Sequence, residues 1–142
     1  MSFFTSLAVS GSGLAAERLR VELASANLAN ANSTRSLEGG PYRRRDPIIQ
    51  AVPLGGFGND LDRAIRGVQV RAVRIDPSAP REVFNPGHPD ADERGIVQLP
   101  NVTAVEELVN LRNAQRSFEA NLAALNITRE LAQRALRIGR SG

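Results

Sequence analysis

The chain has 142 residues, the length of about one domain, and its 42% hydrophobic content suits a packed or helical protein and not a disordered one. A pI of about 10.8 points towards nucleic acid, yet the net charge is only +3, because all eighteen basic residues are Arg, whose high pKa moves the isoelectric point without adding much charge. The one dense basic run, Arg43 to Arg45, is too short to track a phosphate backbone and has no interleaved stacking aromatics, and the absence of Cys excludes disulfides and thiolate metal sites.

From Met1 to Leu14 no basic leader precedes an apolar stretch and a small-residue cleavage site, so any export is expected to use a route without a cleaved signal peptide. No window approaches the roughly 20 apolar residues of a membrane span. All eight prolines lie between Pro41 and Pro100. Proline disrupts helix interiors, so two Pro-free flanks around a Pro- and Gly-rich middle predict helix, β-containing insert, helix. The expected fold is therefore α+β: long N-terminal and C-terminal helices paired in coiled-coil fashion, with a small β-containing insert. The expected divisions are a helical arm over 1–34, a middle domain over 35–100 and a second arm over 101–142.

In the first arm Leu7, Leu14, Val21 and Leu28 recur every seven residues, and Ala8, Ala15, Leu19, Leu23 and Ala26 form a second strip. A helix with two apolar strips calls for neighbours on two sides. Gly11 and Gly13 are expected to weaken its first turns. In the middle, short alternating runs at Pro47 to Leu54, Gly67 to Asp76 and Gly95 to Leu99 predict strands of a small sheet. Within the second run Val68 and Val70 share one phase while Val73 and Ile75 share the other, which predicts a bulge or burial on both faces. Gly55, Gly56 and Gly58 mark a loop.

The second arm opens with Asn101 or Thr103 as cap and runs without Pro or Gly from Val102 to Ile138. At about 1.5 Å per residue it forms a rod of roughly 55 Å. Leu108, Leu122 and Leu136, with Leu111, Phe118, Leu125 and Ala132 three residues further on, predict one heptad seam interrupted by Gln115 and Arg129. Val105, Val109, Ala124, Ile127, Leu131 and Ile138 form another strip.

The single histidine, His88, sits in the turn-like Asn85-Pro86-Gly87-His88-Pro89, and no nucleophile elbow accompanies it. Asp90, Asp92 and Glu93 match a calcium loop poorly, since Arg94 and Asn101 stand where oxygen ligands belong. Gly11 and Gly13 lack the lysine of a phosphate loop and the third glycine of a dinucleotide loop. No catalytic, cofactor-binding or metal-binding residue is assigned, and no cofactor is expected. Asn27, Asn30 and Asn32 are the unusual residues. They can end the helix by bonding carbonyls and amides of the following turn, with small Ala letting another helix approach closely, or mark a plain helix stop, and residue chemistry leaves both readings open.

The stretch Ser25 to Thr34, with its Asn27-Leu28-Ala29-Asn30 core, resembles the N-terminal signature of the bacterial flagellar axial proteins, the rod and hook subunits. Glu38 to Arg45, Asn85 to Asp92, Leu99 to Val102, Val105 to Asn110 and Arg116 to Asn121 resemble the short proximal-rod members of that family, as does Arg35 where distal-rod and hook subunits carry Gly. The resemblance implies a non-enzymatic structural subunit, exported by the flagellar type III apparatus and assembled through its terminal helices into the periplasmic rod of the basal body. Its implied partners are copies of itself, the other rod subunits FlgB, FlgF, FlgG and FliE, the inner-membrane ring and the export apparatus, with no nucleic acid and no membrane insertion. The implied assembly and signature residues are Leu7, Leu14, Val21, Ser25, Asn27, Leu28, Asn30 and Asn32 in the first arm. In the second they are Leu108, Leu111, Phe118, Asn121, Leu122, Leu125 and Leu136.

Overall fold

The computed structural model describes residues 3–54 and 65–140. Helix α1 spans Phe3–Ala29, strands β1 (Arg45–Pro53), β2 (Arg66–Ile75), β3 (Arg81–Phe84) and β4 (Ile96–Leu99) follow, and helix α2 spans Ala104–Arg140. The architecture is the expected α+β arrangement of two long terminal helices around a small antiparallel middle. The glycine cluster Gly55, Gly56 and Gly58 lies outside the described residues.

The helices pack side by side and run antiparallel. Asn27 meets Glu107, and a Cβ placed on Gly13 would sit 3.0 Å from the Asn121 amide nitrogen. Both steps are fourteen residues, two heptads, so the register is constant along the pair. The helix does not falter at Gly11 or Gly13; α1 is continuous through both, and the missing side chain of Gly13 makes room for Asn121. An adjacent side of α1 rests on the β1–β2 ribbon, where the Ser12 hydroxyl accepts the Val68 N–H at 3.0 Å and donates to the Val9 carbonyl at 2.7 Å. The two-sided demand of α1 is thus met within the chain. Its outward line is narrow and runs through Phe4, Ala8, Ala15, Arg18, Glu22, Ser25 and Ala29.

The seam on α2 differs from the one expected. Leu111, Phe118, Leu125 and Ala132 are half-buried, but the positions that complete the covered stripe are Glu107, Ala114, Asn121 and Thr128. Leu108, Leu122 and Leu136 are exposed, as are Gln115 and Arg129, which flank the seam instead of interrupting it. The inner register is therefore turned by one residue from the more apolar choice. Small and polar side chains are accommodated inside because their partners on α1 are small or polar in turn, Ala16, Ala24, Asn27 and Gly13 among them. Thr103 supplies the first helical carbonyl of α2, to the Glu107 N–H at 3.1 Å, and the helix continues through Gly139.

The middle forms two separate two-stranded ribbons and not one sheet. In β1–β2 the register slips between Ile48 and Ile49, which face Ala72 and Val70, so Arg71 is the extra residue of a bulge that accounts for the phase change along β2. Strand β3, absent from the sequence reading, pairs with β4. It is recruited by Gly95, whose φ of 74° turns the chain into β4 and where a Cβ would press against Phe84 and Pro86 at 3.0 Å. Val97, Pro100 and Val102 are buried where this ribbon joins the helix ends.

Candidate functional site

Glu107 and Asn27, each 1% exposed, are the buried polar residues of the described core, and they touch. The clasp they form draws on three segments. Asn27 closes the last full turns of α1, the Tyr42–Asp46 strip enters β1, and Glu107 stands in the first turn of α2.

The Asn27 side-chain amide has two acceptor lone pairs and two donors, and all four are used. Its Oδ1 accepts the Tyr42 hydroxyl at 2.8 Å and the Arg45 N–H at 3.0 Å, while its Nδ2 donates to the Arg45 carbonyl at 2.9 Å and to Glu107 Oε2 at 3.1 Å. Asn27 therefore pairs with the Arg45 backbone as another strand would. The second carboxylate oxygen, Glu107 Oε1, accepts Arg44 Nε at 2.7 Å, and Arg44 Nη1 binds Asp46. Burial opposes the Arg44 charge, but Glu107 and Asp46 together hold its pKa above the ordinary value; burial also lifts the Tyr42 phenol, so it stays a donor. Burying a carboxylate costs several kcal/mol unless it is paired and hydrogen-bonded, and both conditions are met here.

The other two asparagines act differently. Asn30 Nδ2 donates to the Ala26 carbonyl at 2.9 Å and its Oδ1 accepts the Ser33 hydroxyl at 3.0 Å, which terminates α1. Asn32 is exposed. Asn30 thus bonds within the end of its own helix and the turn that follows, whereas Asn27 reaches the Arg45 backbone and Glu107. Of the other signature residues, Leu7, Leu14, Val21 and Leu28 are half-buried, Ser25 is exposed, and Asn121 lies in the seam against Gly13.

A second tie lies beyond the end of α1. Asp90 accepts the Thr34 hydroxyl at 2.7 Å and Arg35 Nε at 2.7 Å, and its N–H donates to His88 Nδ1 at 3.1 Å. His88 shapes this turn. Asp92 Oδ1 accepts the N–H groups of Arg94 and Ile96 at 2.9 and 2.8 Å, so the acidic run is a hydrogen-bonded turn. Among the described residues no His, Cys, Asp and Glu cluster is placed to hold a metal ion, and no helix is long and apolar enough to cross a membrane.

The Thr34 hydroxyl and then Arg35 hold the Asp90 carboxyl below the usual carboxylate range. A depressed folded pKa contributes stability that is full above the unfolded value of about 3.9 and is lost as pH falls through the folded value. Urea midpoints of wild type and Asp90→Asn are expected to differ at pH 7 and to converge as pH falls below about 3.9; a gap that persists undiminished in strong acid would show that the carboxylate charge contributes nothing.

The clasp partners Tyr42, Arg44 and Glu107 were not singled out as site residues by sequence. The available signal was positional: Glu107 falls in the same heptad position as Ala114, Asn121 and Thr128, where a charge is interior if that stripe is the covered one.

Both ends of the chain match models of flagellar basal-body rod proteins. The model described as flagella basal body rod protein matches residues 7–35, and the C-terminal model of the flagellar basal body rod FlgEFG proteins matches residues 93–138. Each matched segment carries one half of the central pair, Asn27 in the first and Glu107 in the second. Over its whole length the chain is similar to the flagellar basal-body rod protein FlgC of Borreliella burgdorferi, 39% identical with 97% of this chain and 98% of the relative covered. It is likewise similar to FlgC of Bacillus subtilis, 38% identical over 99% and 100%, and of Yersinia enterocolitica, 36% identical over 98% and 99%. The chain belongs to the FlgC family of flagellar basal-body rod proteins.

Proposed function

We propose that this chain is a non-enzymatic subunit of the proximal rod, assembled through its terminal helices into the tubular shaft that crosses the periplasm and transmits torque. The observation that carries this reading is the outer face of α2. Val105, Leu108, Val109, Leu122, Ile127, Leu131 and Leu136 are all exposed, although the helix already has a partner in α1. Large apolar side chains left exposed at both ends of a helix that already has a partner mark it as a surface for protein contact. In this reading the arms over 1–34 and 101–142 form the helical unit and 35–100 the outer domain.

Residues implied by the family signature then divide into two roles. Leu111, Phe118, Asn121, Leu125 and Asn27 hold the subunit together, while Leu108, Leu122 and Leu136 meet neighbouring subunits. Those neighbours are copies of the chain and the rod subunits FlgB, FlgF, FlgG and FliE. The inner-membrane ring lies at the base, and delivery is through the type III export apparatus without signal cleavage. Deleting the gene in its own bacterium is expected to abolish motility and rod formation. Re-expressing a tagged chain restores both and places the tag in purified basal bodies with its N-terminus intact. Rods that form at normal yield in the deletion strain would refute the proposal.

A further inference from the structure

The two long edges of the β3–β4 ribbon are finished differently. The Asn85 N–H donates to the Gly95 carbonyl at 2.8 Å, and hydrogen-bonded pairs recur at every second residue of an antiparallel ladder. Val83 with Val97 and Arg81 with Leu99 therefore carry the ladder, and the backbone groups of Glu82, Phe84, Ile96 and Gln98 point away from it. On the β4 edge Asp92 closes the outward groups of Ile96, its Oδ1 accepting the Ile96 N–H at 2.8 Å and its own N–H donating to the Ile96 carbonyl at 2.9 Å. The β3 edge has no such closure: among the described residues the N–H and C=O groups of Glu82 and Phe84 have no hydrogen-bond partner. Cross-strand partners share a face, so Glu82, Phe84, Ile96 and Gln98 lie on the side away from the buried Val97, and Phe84 is 73% exposed there. Glu82 also lines a groove of about 250 Å³ between this face and Thr34, Gly40 and Pro41. The other charges of the groove are committed, Asp90 to Arg35 and Asp92 to Arg94, whereas Glu82 has no ion-pair partner among the described residues.

We propose that the β3 edge is a docking site for an extended segment of another protein, which adds to the ribbon as a third strand through the N–H and C=O groups of Glu82 and Phe84. Main-chain bonds hold such a strand, and alternate side chains select it. In the antiparallel arrangement, the slightly more stable of the two, the residue paired with Phe84 comes first and the residue paired with Glu82 comes two places later. Both side chains lie on the face of Phe84 and Glu82. The segment that fits is therefore an apolar residue, any residue, then Arg or Lys. Its apolar side chain covers Phe84, and its cation pairs with Glu82 at the mouth of the groove. A second copy's β3 is the wrong occupant. Paired antiparallel through the same two residues, two such edges set each Glu82 beside a Phe84 and bring the two carboxylates onto one face as diagonal neighbours, about 7–8 Å apart, where like charges repel. Glu82 thus guards the edge against self-pairing while it recruits a cation. The inference stands apart from the rod reading, since the open edge and its unpaired carboxylate carry it.

Backbone amide signals of the purified full chain report on this edge residue by residue. The probe peptide acetyl-Thr-Val-Thr-Arg-Thr-amide, at millimolar concentration, is expected to shift the Glu82 and Phe84 amide resonances and slow their hydrogen exchange, while the ladder amide of Val83 exchanges as before. The acidic counterpart acetyl-Thr-Val-Thr-Glu-Thr-amide binds about fivefold more weakly, the combined effect of losing an opposite-charge pair and gaining a like-charge one. Glu82→Lys, a change at an exposed side chain, reverses that order. Phe84→Pro removes an edge donor that the ladder does not use and abolishes the shifts, with the β4 amide signals retained as the mark of an intact ribbon. Equal shifts from both probes, shifts that leave Glu82 and Phe84 unmoved, or no shift from either probe would overturn the proposal. So would a purified chain that dimerises with its Glu82 and Phe84 amides already protected, because the edge would then belong to a second copy.

Discussion

Glu107→Ala is expected to lower the unfolding free energy by about 3 kcal/mol, the lower end for breaking a buried ion pair from one side, because Arg44 keeps partial access to water. The carboxylate is 1% exposed and joins α1 through Asn27 to the β1 entry through Arg44. Without it Asn27 Nδ2 loses one acceptor and Arg44 loses its partner in the interior, leaving only Asp46. Asn27→Ala removes four hydrogen bonds and strands the Tyr42 hydroxyl and the Arg45 backbone groups, at about 1 to 3 kcal/mol for each buried group left unsatisfied. The two residues share one network, so the double mutant should cost less than the sum of the singles by about 1 kcal/mol or more. Urea denaturation of the four proteins in the cycle measures this. Strict additivity, or a loss for Glu107→Ala well short of the ~3 kcal/mol expected of a buried pair, would mean that the clasp does not couple the helices.

The largest effect on assembly is expected from Leu108→Asp with Leu122→Asp. These side chains are 49% and 41% exposed, so carboxylates placed there keep access to water, at a cost to the folded subunit of about 1 kcal/mol per site from lost apolar cover and helix propensity. In an assembled rod the same carboxylates are buried without partners, which costs several kcal/mol at every copy. Motility and basal-body yield should fall to background while the protein is expressed and secreted at normal levels. Phe118→Ala provides the contrast. It empties the half-buried α1–α2 seam and is expected to cost about 3 kcal/mol of subunit stability before any question of assembly arises. If the Leu108/Leu122 double variant swims while Phe118→Ala does not, the outer face of α2 is not an assembly surface.

Much of this was legible from the residues. Confinement of proline to Pro41–Pro100 marks off the two helices, because a backbone without N–H donors cannot sustain a helix interior. Alternation located β1, β2 and β4 to within about two residues, and the phase change from Val68 and Val70 to Val73 and Ile75 announced the bulge at Arg71. Strand β3 was not legible: Arg81–Phe84 is short, exposed throughout and lacks alternation, and it is a strand because Gly95 folds β4 against it.

What the sequence determined by itself is the division into helix, β insert and helix, the heptad spacing of both arms, and the surplus of apolar stripes on α2. Each is a local property, set by dihedral limits and by the 3.6-residue turn. Only the tertiary structure decided which of two adjacent heptad positions on α2 faces inward. Judged on hydrophobicity, Leu108, Leu122 and Leu136 outrank Glu107, Asn121 and Thr128, and the structure inverts that order. The reason is that the cost of burying Glu107 is offset by Asn27, 80 residues away, and by Arg44, 63 residues away, and the Asn121 side chain fits because Gly13 has none. A polar group's place inside depends on partners that chain separation hides, whereas an apolar group needs only to leave water, and in the proposed rod the leucines of α2 do so against a neighbouring subunit.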